Sequence, residues 1–470
     1  MIAQNLANFV SSLSYQSLPA EVVEKAKLCV LDFLGVATAG CETEWCMKVL
    51  QLMREIGGKP ESTVLKYGDK IPSPNAALIN GTMGHSWDFD DTHYSQLHPG
   101  TVIVPTALAI AEREGATGKD FLTAVTAGYE LMTRITLAVN SPPKRSHTLR
   151  GFHPTATCGT FAAAATAGKI LNLNSDKLVN ALGIAGSFAA GLLEFLADGA
   201  MTKRLHPGKA SHDGILSALL AEKGFTGPRS VFEGRDGFLR AYSDDPKPEE
   251  LVKDLGKKFE ILAVEFKTYS SCRSTHASLD ALINIIKSHH LSPEEVEEII
   301  VEVSTLDWYI AGQPIELKRN PSTPLEAQMS IPFCIALMMI EGKIIPSQFT
   351  PTNIRNEKIL AIAKKVNVVA RQEFDLEQSK GAMPAIVTIK TKNRGKLSAR
   401  VNYPKGSPEQ PLSKKDVEEK FIQLASQIIP TESVIKVVNE LEKLESITIL
   451  TDLLVLNKRS KGLTSKSKLF

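Results

Sequence analysis

Along the first half of the chain, apolar residues recur at helical spacing. Val22, Ala26, Val30, Phe33 and Leu34 fall on one stripe. Pro19-Ala20-Glu21 opens that helix with an acid in its first turn, and Gly40 can close it. Residues 3–55 read as helical, whereas 60–70 contains a short strand-like piece, Ser62-Thr63-Val64-Leu65. From 74 to about 225 the chain is rich in alanine and glycine, with helical runs at 101–113, 119–139, 155–172, 175–196 and 209–223. The stretch from Phe161 to Gly168 has almost no polar face. A helix apolar on all sides belongs in the middle of a bundle.

The pattern changes near 245–262. Asp244-Asp245-Pro246-Lys247-Pro248 is a charged, turn-forming connector. Thr275 to Ser288 reads as a helix, Glu298–Val303 as a strand and 324–340 as a strongly apolar helix. Ala385–Thr391 and Lys396–Val401 alternate apolar and polar positions around an Asn-Arg-Gly tip, a hairpin signal. Helices return at 413–430 and 432–455, and the basic tail around Lys458–Gly462 is expected to fray. The expected fold is mainly α: a large all-α helical domain over 1–262, a smaller α/β domain over 263–405, and C-terminal helices in 406–470 that pack back on the first.

A chain of 470 residues can bury two or three cores. Its net charge of +2 and lack of a Lys/Arg block give no footprint for nucleic acid or an anionic membrane. Six scattered cysteines with no CxxC pair suit buried, reduced thiols rather than disulfides or a zinc site. The first residues lack the basic and apolar regions of a signal peptide, and no apolar run is long enough to span a membrane. A cytoplasmic protein is expected.

Chemistry concentrates in Gly84–Pro105. His85, His93, His98, Asp88, Asp90, Asp91 and Thr92 crowd between two apolar segments. A solvated acidic loop is the plain alternative, but the apolar flanks oppose it. Four further segments supply polar groups beside buried helices: Arg150–Thr155 with His153, Thr202–Lys209 with Lys203 and His206, Phe266–His276 with Lys267 and Arg273, and Glu326–Ser330. Individually these would be structural histidines and surface lysines. Together they offer imidazoles for proton transfer and cations for anions, suiting a substrate with several carboxylates. His85, Asp88 and His93 could ligate a metal, but their spacing matches no metal motif, and no metal is expected. No dinucleotide fingerprint, P-loop or GxSxG elbow is present.

The ordered motifs DFDDTH and HPG at 88–100, RGFHPTATCGT at 150–160, TKRLHPGKASHDG at 202–214, FKTYSSCRSTH at 266–276, EAQMSIPFCIALMMIEG at 326–342 and VNYPKGSPEQPLS at 401–413 together resemble the MmgE/PrpD family, up to about residue 455. That family includes 2-methylcitrate dehydratase, cis-aconitate decarboxylase and iminodisuccinate epimerase. The resemblance implies an all-α domain with an α/β lid, a homodimer, no cofactor, and proton movement beside a carboxylate of a di- or tricarboxylic acid in the interdomain cleft. By residue, it implies that His98 and His153 flank the reacting carbon as base and acid. Lys203 and Lys267 would bind carboxylates and stabilise an enolate-like intermediate. Asp88 would orient or charge a histidine, with Thr92 donating a hydrogen bond. His93 and His206 join Thr92 and Lys267 as substrate-binding candidates.

Dehydration of a 2-methylcitrate-like hydroxy acid leads the expectations, ahead of epimerisation of an iminodisuccinate-like acid and decarboxylation of a cis-aconitate-like one. Two departures bear on this order. Phe333 stands where decarboxylase-like relatives carry tyrosine, and the spacer before His98-Pro99 is short, with glycine following. A non-catalytic helical binding protein and a metallohydrolase are the rivals from other classes.

Overall fold

Helices account for most of the described chain, residues 1–447 of a computed structural model. The first core gathers Ala20–Gly40 (α1), Ser73–Gly84 (α2), Gly100–Glu114 (α3), Gly118–Asn140 (α4), Pro154–Ile170 (α5), Ser175–Phe188 (α6) and Thr202–Glu222 (α7). Helix α5 is the expected central helix: every residue but Lys169 is buried. Its threonines do not break the apolar surroundings, because Thr160 and Thr166 each give the hydroxyl proton to the carbonyl four residues back, both at 2.9 Å. Small residues set how closely helices approach. A Cβ on Gly208 of α7 would stand 2.1 Å from the Leu78 carbonyl oxygen of α2, and one on Gly81 would stand 2.7 Å from the Gly208 Cα. This crossing holds the first turns of α7 against the end of α2.

A second core holds the α/β part, in which His276–His289 (α8) and Ile331–Glu341 (α9) join a four-stranded sheet. Val296–Val303 (β1), Val366–Ala370 (β2), Ala385–Thr391 (β3) and Gly395–Val401 (β4) lie in the order β2-β1-β3-β4. β1 is parallel to β2, with Ile300 opposite Asn367, and antiparallel to β3, with Val301 opposite Val387. β3 and β4 form the expected hairpin, and β4 is an edge with alternating exposure. Lys414–Ala425 (α10) and Thr431–Glu442 (α11) pack on the first core through Val417, Phe421, Val434 and Val437. The protein is thus mainly α with a small α/β part.

Several elements differ from the sequence pattern. Residues 3–55 are three helices, because the chain turns at Leu13–Pro19 and again near Thr43. The strand near 60–70 shrinks to a two-residue ladder between Ser62–Thr63 and Lys70–Ile71. The run 175–196 stops at Phe188, and Leu193–Leu196 forms a separate 3-10 turn. Helix α7 begins at Thr202 and carries Pro207 inside it, so the basic segment ahead of the expected run 209–223 is helical too. The apolar run 324–340 breaks at Met329–Ser330, where the Ser330 side chain caps the Phe333 amide. The expected helix 432–455 ends at Glu442 and a 3-10 turn, Leu444–Ser446; its remainder and the basic tail lie outside the described residues. No helix among the described residues is long and apolar enough to cross a membrane.

Candidate active site

Between the two cores lies a cavity. Its first-core wall includes Asp88, Thr92, His93, His98, His153 and Lys203, and its α/β wall includes Cys272, Arg273, Ile310, Met329 and Met383. The 88–98 segment supplies the greatest density of chemistry. Asp88 adopts φ +50, which turns the chain sharply after α2 and its capping residue His85. His153 is the N-cap residue of α5, fixed by its backbone amide on the Gly191 carbonyl at 3.0 Å and by Pro154 in the first turn. Lys203 comes from the first turn of α7 and is buried.

The charged groups form a chain of contacts. Lys267 Nζ donates to Asp88 Oδ1 at 2.7 Å and to the Asp88 carbonyl at 2.9 Å. Lys203 Nζ lies 3.3 Å from Asp88 Oδ1 and 2.8 Å from His85 Nε2. An ammonium can only donate, so His85 Nε2 accepts and its proton sits on Nδ1, 3.0 Å from Asp90 Oδ2. Burial opposes a charge on Asp88, but Lys203 and Lys267 outweigh it and hold the carboxyl well below its ordinary range. Burial pushes the His85 imidazole down to about 3. Asp88 Oδ2 is buried and has no hydrogen-bond partner among the described residues.

Tautomers follow from the neighbours. His98 Nδ1 faces two acceptors, the Asp91 carbonyl at 3.1 Å and Asp90 Oδ2 at 3.2 Å. It therefore carries the proton, and Nε2 presents a lone pair on the cavity side, 3.8 Å from Asp88 Oδ1. Burial lowers the His98 pKa, with Asp90 opposing. His153 places Nδ1 2.9 Å from Nδ1 of His206, and burial together with His206 and Lys203 holds its pKa well below the ordinary value. Both rings are neutral near pH 7, so each keeps one ring nitrogen with a free lone pair. His93 accepts the Ser95 amide at Nδ1, so its proton is on Nε2, a buried donor with no partner among the described residues.

His85, Asp88, Asp90 and His98 are the one group among the described residues that could hold a metal ion, with ligand atoms within 4.8 Å of one another. Lys203 and Lys267 already set two cations against Asp88. The donor set is thus matched to ammonium groups, and a divalent ion would have to displace them.

Two family models match the chain, the MmgE/PrpD N-terminal domain over residues 4–251 and the MmgE/PrpD C-terminal domain over residues 269–444. The chain belongs to the MmgE/PrpD family. Among its relatives, human cis-aconitate decarboxylase is 29% identical, covering 96% of this chain and 94% of its own. The cis-aconitate decarboxylase of Aspergillus terreus is 27% identical over 96% of each. A cis-aconitate decarboxylase-like protein, oryM, of Aspergillus oryzae is 26% identical over 97% of each. Membership of the MmgE/PrpD family and these relatives indicate an enzyme of the lyase type.

Five of the six MmgE/PrpD motifs named from sequence reach the cavity wall and the 401–413 motif does not, and not every residue takes its expected place. Asp88, Thr92, His93, His98, His153 and Lys203 reach the cavity. Lys267 does not line it: the side chain is wholly buried and its ammonium is engaged by Asp88, so it acts on the cavity through that carboxylate. Thr92 gives its hydroxyl proton to the Leu97 carbonyl at 3.0 Å and pairs its backbone with Glu265, which leaves it an anchor rather than a donor. His206 stands behind His153 and off the cavity wall. Phe333 lies in the α/β core rather than on the wall. Arg273, which lines the cavity and is ion-paired with Glu265, and the His85–Asp90 pair behind Lys203 were not assigned roles from sequence. Their signal was only proximity to the histidine-aspartate cluster and the FKTYSSCRSTH motif.

Proposed function

We propose that the chain is a lyase acting on a di- or tricarboxylic acid through proton transfer at a carbon next to a carboxylate. One observation carries this reading: the neutral rings of His98 and His153 face a cavity that also holds the Lys203 ammonium. One imidazole takes or gives the proton at carbon, and Lys203 stabilises the carboxylate as electron density moves into it. Such charge stabilisation is strong because the groups are fixed and shielded from water. The chain's own side chains supply base, acid and charge; a polycarboxylate and a second copy of the chain complete the partner set we propose.

Two finer outcomes share that carbanion-like step. Decarboxylation, in which CO₂ leaves and an imidazole protonates the carbon, is favoured by the names of the relatives. Dehydration of a hydroxy acid is favoured by the unpartnered Asp88 Oδ2, which would accept a substrate hydroxyl. The test incubates the protein in D₂O with citrate, 2-methylcitrate, cis-aconitate, malate, tartrate and iminodisuccinate and follows each by NMR. Deuterium entering one carbon, with release of CO₂ or water, identifies the reaction; inverted configuration would point to epimerisation instead. His153→Ala and Lys203→Ala should each cut turnover by about 10² or more. Near-wild-type rates in both would sink this mechanism.

A further inference from the structure

Behind His153 lies a second imidazole that the reaction as proposed leaves idle. His206, in the second turn of α7, sets its Nδ1 2.9 Å from the Nδ1 of His153. The rings are 5.1 Å apart at 40°, and both pack edge-on against Phe195 at 5.7 Å. Two neutral imidazoles meeting through the same kind of nitrogen share one proton, so the two tautomers are coupled. With the shared proton on His153, its Nε2 offers a lone pair. With that proton on His206, the Nε2 of His153 must carry a hydrogen. No other hydrogen bond holds either Nε2 among the described residues. His153 lines the cavity, and His206 is only partly buried.

We propose that His206 is the outer member of a two-ring proton relay, which sets the tautomer of His153 and carries the abstracted proton between the cavity and solvent. This rests on the proton-transfer reading above. In the outward direction a C–H bond of the substrate breaks and leaves its electron pair on carbon. The proton bonds to His153 Nε2, the proton on His153 Nδ1 passes to His206 Nδ1, and His206 gives its own Nε2 proton to water. The reverse sequence reloads His153 as an acid. Lys203 and Lys209 flank His206 and, after burial, help push its imidazole down to about 4, so it holds the extra proton only in passing.

The test uses His206→Phe, which keeps an aromatic ring against Phe195, and His206→Gln, which can still hydrogen-bond to His153. Wild type and variants are run in D₂O on the acid that wild type turns over. The relay predicts that His206→Phe loses about 10²-fold in kcat, at the scale of a positioned proton-transfer group. It also predicts KM within about threefold, less deuterium incorporated per turnover because the abstracted proton returns from His153, and partial recovery with added imidazole. His206→Gln should bind normally and stay slow. ¹⁵N spectra of the His153 ring should lose the mixed-tautomer shift in both variants, a readout that needs no substrate. Wild-type kcat and deuterium incorporation in folded His206→Phe, or unchanged His153 ring shifts, would overturn the relay while leaving the parent reading intact. Absence of exchange in wild type with every acid would overturn both.

Discussion

At the scale of single residues, the site is a set of buried charges that hold one another in place. Asp88 balances two ammonium groups, so Asp88→Asn would leave Lys203 and Lys267 without their shared counter-ion. A loss of about 3 kcal/mol or more in unfolding free energy is expected, measured by urea titration, together with loss of turnover. Buried imidazoles also tie stability to acidity. His147 donates from Nδ1 to the Tyr242 carbonyl, accepts from Thr157 at Nε2, and burial pushes it down to about 4. Its folded pKa lies below its unfolded value, so its contribution is present above about pH 6.5 and is lost as pH falls toward 4. His147→Asn should therefore remove about 2 kcal/mol of the stability change between pH 7 and pH 5. Asp91 has the opposite sign, because burial and Asp32 raise it to about 8. Its contribution is full below about pH 4 and fades as pH rises through 8, and Asp91→Asn should remove that opposing slope. The residue types of this site were legible in the sequence as one dense cluster and four further segments. Which of them faces the cavity was not, since Lys203 and Lys267 read alike as lysines beside buried helices and differ only in what surrounds each ammonium.

Among the helices, position follows from what small residues permit. The Gly81–Gly208 crossing brings α7 within backbone contact of α2, and Lys203 lies five residues before Gly208. Gly208→Ala drives a methyl group into the Leu78 carbonyl, so the helices must separate. A loss of about 2 kcal/mol or more is expected, comparable with other overpacked cores, along with a larger fall in turnover because Lys203 moves with its helix. Thermal melts and kinetics of the same variant check both. Long helices such as α4 and α5 could be read from periodicity alone. Their ends could not: the expected run began only at 209, because Thr202–Lys209 holds proline, glycine and four basic side chains. Tertiary contacts of Lys203, Arg204 and Pro207, all buried, keep it helical.

Across the whole molecule, the segment 88–98 is gripped from both cores. Lys267 holds Asp88 at the entry to the α/β part, and the Thr92–Glu265 bridge ties the same strand of chain. From α10, Lys420 Nζ reaches Asp32 Oδ1 at 2.7 Å and the Phe89 carbonyl at 2.6 Å. Lys420→Ala would leave Asp32 buried without its partner, and a loss of about 3 kcal/mol or more is expected in an unfolding titration. The helical and α/β regions and the β3–β4 hairpin were visible in the hydrophobic pattern, because each is local. The return of the C-terminal helices was expected in outline. The atoms that fasten them to the 88–98 segment were not, since Lys420 and Asp32 stand 388 positions apart and nothing in either neighbourhood marks the pairing.

That separation orders events during biosynthesis. The histidines and aspartates of 85–98 leave the ribosome early, but the lysine that braces Phe89 follows more than three hundred residues later. At about 5–20 residues per second, that interval is tens of seconds, in which the nascent first core holds Asp32 without its cation. A chain arrested before residue 420 should carry every cavity-lining side chain and still be a poor enzyme, its polar interior waiting on a helix not yet made.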